Sequence, residues 1–542
     1  PSAIAPFALA LAAELARHPD IQLPAAAQAM RAWLKNAPAD APHKEWRAAL
    51  VKDLIANRGQ SLVAVGYQQP PFLHALAAWI NEILGNTGRT VTYTRDEVFQ
   101  GVSHGEAIRA LSEAMKAGQV ETLLILGGNP AYDAPADLEF SALLPKVRTS
   151  LHLSLYQNET SALCGWYIPR AHFLEAWGDT RAYDGTITTV QPLIEPLYGG
   201  RTPAELLARI LGDEVTQGFE ITRQALKNLL RPADFEAGWR QWLHDGVIAD
   251  TAYPPVTPSL QADGIAAAWK PAPAAGPYEI AFIPDTKLHD GRFANNGWLQ
   301  ELPDFMTKMS WDNAALLSPA TAAGLQVQDG DLLRLTLRGR AVEAAAFILP
   351  GQPADTVTVA LGYGRTQAGR VGTGVGFPVH ALRVSEALDF SGGLTIEKTG
   401  RVYPQARTQD HHAIDVVGMR ERGERIHELI REATLENYLA DPRLFQHGEE
   451  HAPAQLFAEH PYEGHKWGMV IDLNACTGCS ACVVACQAEN NIPVVGKEQV
   501  RRGREMHWIR VDRYFSGEPE TPRVARQPVA CVHCEKDRKS VV

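Results

Sequence analysis

The sequence predicts an α/β fold followed by a small closed β-barrel and then a cysteine-rich C-terminal domain. Three observations carry this. Between residues 61 and 126, short apolar runs alternate with stretches of helical period. Between 332 and 361, the pattern turns to strands separated by tight turns. Near the C-terminal end stands Cys476-Thr477-Gly478-Cys479-Ser480-Ala481-Cys482-Val483-Val484-Ala485-Cys486.

Taken in order, the first residues are Ala-rich and helical in spacing. Phe7, Leu9, Leu11 and Leu15 mark one segment; Ala27, Met30, Trp33 and Leu34 mark the next. Ser61–Gly66 reads as a short buried strand. Pro70 and Pro71 open a helix through Ala75, Ala78, Trp79 and Ile83 that closes at Gly85-Asn86. Thr90–Tyr93 is expected as a strand, Gly105–Ala117 as a helix and Thr122–Leu126 as a third strand. Such alternation implies a mostly parallel sheet with helices on both faces. Gly127-Gly128-Asn129-Pro130 follows the third strand, at the end of the sheet where ligands bind. A nucleotide could sit there against bare backbone, although a tight turn is the simpler reading.

The resulting division is 1–150 for the first α/β domain and 151–270 for its continuation and a Pro/Ala-rich linker. Asp184-Gly185 marks a turn in that continuation. Residues 271–400 form the barrel, from strand-like runs at Leu332–Leu337, Ala341–Ile348 and Thr356–Leu361. Residues 401–465 are a polar connector with an amphipathic helix bearing Ile426, Leu429, Ile430 and Ala433 on one face. Residues 466–542 are the cysteine domain.

At 542 residues the chain holds more than one core, and its 45% hydrophobic and 21% charged content is that of an ordinary globular protein. A net charge of -11 argues against nucleic acid as a partner. No apolar run is long enough to span a bilayer, so any membrane link is expected through another subunit. The chain starts at Pro1 with no recognisable signal peptide.

The spacing C-x2-C-x2-C-x3-C is the ferredoxin-type arrangement for iron–sulfur ligation. Small residues in the gaps let thiolates converge while backbone amides face the cluster sulfurs. The candidate ligands are Cys476, Cys479, Cys482 and Cys486, with Cys531 and Cys534 forming a further C-x2-C. Zinc is the bland alternative, but zinc sites pair C-x2-C knuckles and have no use for a third cysteine three residues on. The seventh cysteine, Cys164, sits in apolar company and reads as a small buried hydrophobe. His507, His533 and the pair His411-His412 read as surface or structural histidines rather than ligands.

Two further sets of residues point to one family. The first is Trp467–Asn474 before the cysteines, with Glu489-Asn490-Asn491-Ile492-Pro493-Val494-Val495-Gly496-Lys497 and Arg504–Arg510 after them. The second comprises Gln69-Pro70-Pro71, His74-Ala75-Leu76, Asn81, Thr90–Tyr93, Gly127–Pro130 and Asn295-Asn296-Gly297-Trp298-Leu299-Gln300-Glu301-Leu302-Pro303. Together they resemble the B subunit of bacterial alternative complex III. There, a molybdopterin-oxidoreductase-like region with a dinucleotide-binding-type barrel is fused to a multi-cluster ferredoxin region. The resemblance implies electron transfer through 4Fe-4S clusters, with room for a 3Fe-4S cluster in a complete protein. Electrons would pass from an integral-membrane quinol-binding subunit to multihaem and monohaem cytochrome c subunits. It also implies a peripheral place on the periplasmic side of the bacterial inner membrane. The competing implication is a catalytic molybdopterin enzyme of the polysulfide or sulfoxide reductase type.

By the same resemblance, Gly127, Gly128, Asn129 and Pro130, with Gly185-Thr186, Gln191 and Gly372–Phe377, correspond to parts of a molybdopterin pocket. Ile187–Val190 supplies no Arg or Lys for a pyrophosphate, and the family implies that the cofactor is lost. After Cys534-Glu535 the family continues with Asn-Ala-Pro-Cys and more cysteines, whereas this chain reads Lys536-Asp537-Arg538-Lys539-Ser540-Val541-Val542. The expectation is a fragment lacking both ends, with a truncated dicluster-type domain. Cys476, Cys479 and Cys482 would then share one cluster, Cys486 would serve another, and Cys531 with Cys534 would begin a third site.

Overall fold

Pro70 in extended backbone and Pro71 at the first helical position launch the helix Pro71–Ile83, whose apolar face buries Phe72, Leu73, Leu76, Trp79 and Ile80. The helix Ile4–Arg17 lays Leu9, Leu11 and Leu15 into the same core. The computed structural model describes residues 1–23, 30, 33–38, 41–94, 101–258, 261, 264–265, 276–409, 430–445, 463–465 and 469–531.

Ser61–Gly66 forms no strand and joins no sheet among the described residues, contrary to what its composition suggests. The Asn81 side chain takes the place of a neighbouring strand. Its Nδ2 donates to Val63 O at 2.7 Å and its Oδ1 accepts from Val63 N at 3.0 Å. One amide thus satisfies a backbone that would otherwise need a ladder. The expected strand Thr90–Tyr93 shrinks to Tyr93–Thr94, paired antiparallel with Pro255–Val256.

The parallel sheet has three strands, in the order Thr122–Leu126, Thr149–Ser154, Trp166–Pro169. The helix His104–Lys116 begins in a Ser103/Glu106 capping box. Its Met115 packs with Phe140, Leu143, Leu144 and Val147 beside Leu123 and Ile125. Beyond this sheet the architecture changes. Gly178–Arg181, Ile187–Val190 and Val247–Ile248 form an antiparallel sheet, with Gly185 at φ 94 in the turn between the first two. Leu226, Phe235 and Trp239 cover it.

Residues 278–402 close into a six-stranded barrel. The order runs Ala315–Leu317, Arg340–Ile348, Asp331–Leu337, Phe390–Val402, Tyr278–Ile283, Thr356–Ala360 and back to the first. Alternation along Asp331–Leu337 explains the closure. Leu333, Leu335 and Leu337 point in and are fully buried, while Arg334 stays in solvent. Ile280, Phe282, Val357, Val359 and Leu394 complete the interior.

Ile426 and Leu429 of the expected amphipathic helix lie outside the described residues, and residues 430–434 are not helical. A short helix, Leu435–Ala440, follows. The C-terminal region consists of the helix Ala481–Glu489, a turn of helix at Lys497–Val500, and a hairpin of Arg510–Ser516 with Arg523–Val529. Among the described residues, no helix is long and apolar enough to cross a membrane.

Candidate iron–sulfur site

Asp472 shapes the start of the cysteine loop. Its Oδ1 accepts from Asn474 N at 2.9 Å and Ala475 N at 3.3 Å, and its carbonyl accepts from Cys476 N at 2.9 Å. Two left-handed residues then bend the loop: Gly478 at φ 73 and Ser480 at φ 60. Gly478 is buried beneath the Phe305 ring, and a Cβ there would fall 2.6 Å from Phe305 Cε2. Cys482 and Cys486 sit one turn apart on the helix Ala481–Glu489, on the same face. Val483, only 3% exposed, anchors that helix against Leu302 and Val511.

The thiols have polar company. The Ala481 N–H and the Thr477 hydroxyl hold the Cys479 thiol below its ordinary value, favouring the thiolate that iron binds. Asn490 Nδ2 donates to Cys486 O at 2.9 Å and lies 3.6 Å from Cys486 Sγ. Arg526 Nε donates to Cys476 O and ties the hairpin to the loop.

Cys479 and Cys482 are exposed, while Cys476, Cys486 and Cys531 are half-buried and Cys534 lies outside the described residues. No three Cys, His, Asp or Glu side chains of the described residues form a preassembled metal cage. The loop and helix place Cys476 to Cys486 in one unit without closing them on a common point. The donor set still fits an iron–sulfur cluster: soft sulfur ligands at ferredoxin spacing, a Cys479 thiol lowered by its hydrogen-bond donors, and an amide donor beside Cys486.

The unit rests on the barrel side of the chain. Trp298 Nε1 donates to Ile492 O at 2.7 Å. The buried Glu301 carboxylate accepts from Val495 N at 3.1 Å, Gly496 N at 2.7 Å and Trp311 Nε1 at 3.2 Å. Lys497 Nζ lies 2.7 Å from both Asp312 Oδ2 and the Tyr403 hydroxyl. The Asn295–Pro303 and Glu489–Lys497 motifs, far apart in sequence, therefore meet in space. Sequence reading singled out both without pairing them; the pairable charges Glu301, Asp312 and Lys497 were the available signal.

Gly127, Gly128 and Asn129 line a second feature, a cavity of about 300 Å3. Gly127 and Gly128 have φ of 89 and 73, and a Cβ on Gly127 would lie 2.9 Å from Arg170 Nη1. Asn129 donates from Nδ2 to Glu159 at 2.7 Å and accepts at Oδ1 from Thr160 N at 3.1 Å. Pro130 begins the short helix Pro130–Asp133. Gly185-Thr186, Gln191 and Gly372–Phe377 do not line this cavity. Gln191 is turned to Leu243 O at 2.8 Å, and the glycine-rich loop acts from behind, with Gly374 N donating to Arg365 O at 2.8 Å.

Cations are present that the sequence reading missed: Arg170, Arg292 and Arg365. They come from distant segments. Two of them are taken up by carboxylates of the chain. Arg365 Nη2 meets Glu159 Oε2 at 2.7 Å and Arg292 Nη2 meets Asp290 Oδ2 at 2.6 Å. Burial would raise the Glu159 carboxyl, but the Arg365 guanidinium and the Asn129 amide outweigh it and hold it at about 2. Burial, reinforced by Asp290, pushes Asp133 up to about 6. With Asp133 and Asp290 in the lining and Glu159 beside it holding Arg365, three carboxylates set against the three guanidiniums fit a polyanionic dinucleotide poorly.

Cys164 is half-buried against the Met115 cluster, and burial raises its thiol. His507 is held low, at about 4, by burial, and neither ring nitrogen has a partner among the described residues. His411, His412 and His533 lie outside those residues.

Comparison with known proteins bears on the cysteine region. Residues 467–488 match the family model of a 4Fe-4S binding domain. The iron-sulfur cluster-binding subunit of menaquinone reductase from Nitratidesulfovibrio vulgaris is 46% identical over 72 residues, 13% of this chain and 28% of that protein. Two proteins of Archaeoglobus fulgidus are also similar. The Hdr-like menaquinol oxidoreductase iron-sulfur subunit 1 is 30% identical over 92 residues, 14% of this chain and 33% of that one. The B subunit of tetrathionate reductase is 39% identical over 72 residues, 13% and 28%. The chain thus spans about a third or less of the length of these relatives. Among solved structures, acetylene hydratase from Pelobacter acetylenicus is 14% identical with a TM-score of 0.38, over 47% of this chain and 39% of that one, too slight a likeness to define the fold. By its cysteine spacing and by these matches, the C-terminal region carries a 4Fe-4S binding domain.

Proposed function

We propose that this chain is an iron–sulfur electron-transfer subunit of a membrane-associated quinol-oxidising respiratory complex, of the alternative complex III type. It receives electrons from an integral-membrane quinol-binding subunit and passes them towards cytochrome c subunits on the periplasmic side of the inner membrane. The observation that carries the reading is the ferredoxin-type run Cys476–Cys486, within a region similar to iron–sulfur subunits of menaquinone and menaquinol oxidoreductases.

A 4Fe-4S cluster supplies one-electron transfer without bond chemistry in the protein. The residues of the chain hold and insulate it. Gly478 and Ser480 bend the loop, Val483 and Ile492 exclude water, and Asn490 and the loop amides offer donors to sulfur. Upstream, the cavity at Gly127–Asn129 is read as a cofactor-free scaffold. Its support is the pairing of Arg365 with Glu159 and of Arg292 with Asp290, which leaves little positive charge for phosphates.

Electron paramagnetic resonance of the complete complex, recorded as quinol is added, tests this function. Iron–sulfur signals that change on reduction support it. Signals that quinol leaves unaltered contradict it, and stoichiometric molybdenum in the purified protein would transfer the weight to a catalytic molybdopterin enzyme.

A further inference from the structure

The wall of the cysteine site is not built by the cysteine domain alone. Phe305, from the segment before the barrel strand at 315, lies on Gly478 and belongs to one apolar cluster with Leu302, Val483, Val484 and Val511. Its ring therefore lies on the loop that carries Cys476 and Cys479, in the same apolar cluster as Val483 and Val484 of the helix that carries Cys482. Lys308, three residues on, is 3% exposed. Its Nζ lies 5.1 Å from the centroid of the Phe305 ring and donates to Val511 O.

A lysine this deep is costly to charge unless something answers it. Burial and the neighbouring Arg513 bring its ammonium down to about 8, with Asp512 and Asp304 acting the other way, so the charge is retained at neutral pH. Asp304 is itself occupied, accepting from Met306 N at 3.0 Å and Thr307 N at 2.8 Å, and Asp512 accepts from Arg510 Nε at 3.0 Å. No carboxylate within ion-pair distance of Lys308 is present among the described residues. Its interactions are a carbonyl and an aromatic face.

We propose that Lys308 raises the reduction potential of the cluster held by Cys476, Cys479 and Cys482, with Phe305 as the dry spacer between them. This rests on the reading of the cysteine loop as an iron–sulfur site. The contacts of Lys308 Nζ are Val511 O and the Phe305 ring rather than a thiol, so its part is electrostatic. The added electron makes the reduced cluster more negative, and a fixed positive charge favours that state. A unit charge about 10 Å from a redox centre, at an effective dielectric of about 20, changes a one-electron equilibrium by about tenfold. The upstream half of the chain would then set the operating potential of the downstream half rather than merely support it.

The test is a potentiometric titration of the cluster-loaded full chain, comparing wild type with Lys308→Gln, Lys308→Met and Lys308→Arg. Lys308→Gln keeps a donor for Val511 O and removes the charge. The expected result is a fall in midpoint potential of about 59 mV, a tenfold change for one electron, in both neutral variants, with Lys308→Arg near wild type. An unmoved potential in a neutral variant with its cluster intact would overturn the proposal and leave the iron–sulfur reading standing. Loss of the cluster from both neutral variants would also overturn it, because Lys308 would then be structural. A wild-type chain that takes up no iron and sulfide would overturn both.

Discussion

The barrel and the cysteine domain bury their surfaces in opposite ways. The barrel interior is filled by its own strands, from Ile280 and Phe282 through Leu333, Leu335 and Leu337 to Val357 and Val359. The cysteine domain has no such core among its described residues. Val483 and Val511 pack with Leu302, Phe515 with Met309 and Phe347, and Val500 with Trp311 and Ala406. Val483, Val500, Val511 and Phe515 all find partners upstream. A closed barrel can stand on its own apolar interior, whereas a short loop–helix–hairpin must borrow a surface or be held by its cluster. The contacts at Trp298, Glu301 and Asp312 are the means of borrowing.

Breaking the cysteine site should separate the two regions most sharply. The double variant Cys479→Ser/Cys482→Ser is expected to lose bound iron and sulfide while the barrel's unfolding transition stays where it was. Iron and acid-labile sulfide assays with circular dichroism melts check this, and a barrel that unfolds with the cysteines removed would show that the regions are not separable. Next in size is Leu333→Ala, which opens a cavity in a fully buried position and should cost about 2–5 kcal/mol in denaturant unfolding. Its effect should fall on the barrel first.

Glu301→Gln probes the borrowed surface. Replacing a buried carboxylate that accepts three N–H groups is expected to cost about 1.5–3 kcal/mol. Hydrogen exchange should accelerate at residues 492–497 and leave the barrel amides protected. Equal acceleration in both would contradict the division drawn here.

The smallest effects concern the clamp between the parallel sheet and the barrel. The Glu159 carboxyl is depressed to about 2, so its contribution is present above the ordinary 4.5 and is lost as pH falls from there towards about 2. Asp133 runs the other way. Its carboxyl is raised to about 6, so its favourable contribution exists below the ordinary 3.8 and disappears as pH rises to about 6. Asp133→Asn should therefore raise the melting temperature at pH 7 by more than at pH 4. The same gain at both pH values would count against the raised carboxyl.

What could be read from the sequence followed how local each feature is. Apolar strands bounded by turn residues, such as Leu332–Leu337 and Thr356–Leu361, were placed almost to the residue because pattern and burial agree. The helices from Pro71 and near Gly105 were legible from their start signals. Ser61–Gly66 was misread because an Asn81 side chain, not a strand, satisfies it, and no local pattern announces that substitution. The ferredoxin-type spacing of Cys476–Cys486 was legible, and the 4Fe-4S binding domain matches at the same place, residues 467–488. The cavity arginines were not legible, since Arg170, Arg292 and Arg365 come from three separate segments. Nor was Lys308 at the cysteine site, because a single lysine before a barrel strand carries no signature of what it faces.

The central claim is that thiolates in the Cys476–Cys486 run hold an iron–sulfur cluster. The most direct test is anaerobic reconstitution of the chain with ferrous iron and sulfide, alongside the Cys479→Ser/Cys482→Ser variant. Bound iron and sulfide in comparable amounts are expected, with visible absorption that bleaches on reduction, and their loss in the variant. Uptake of zinc without sulfide, or identical behaviour of the two proteins, would contradict it.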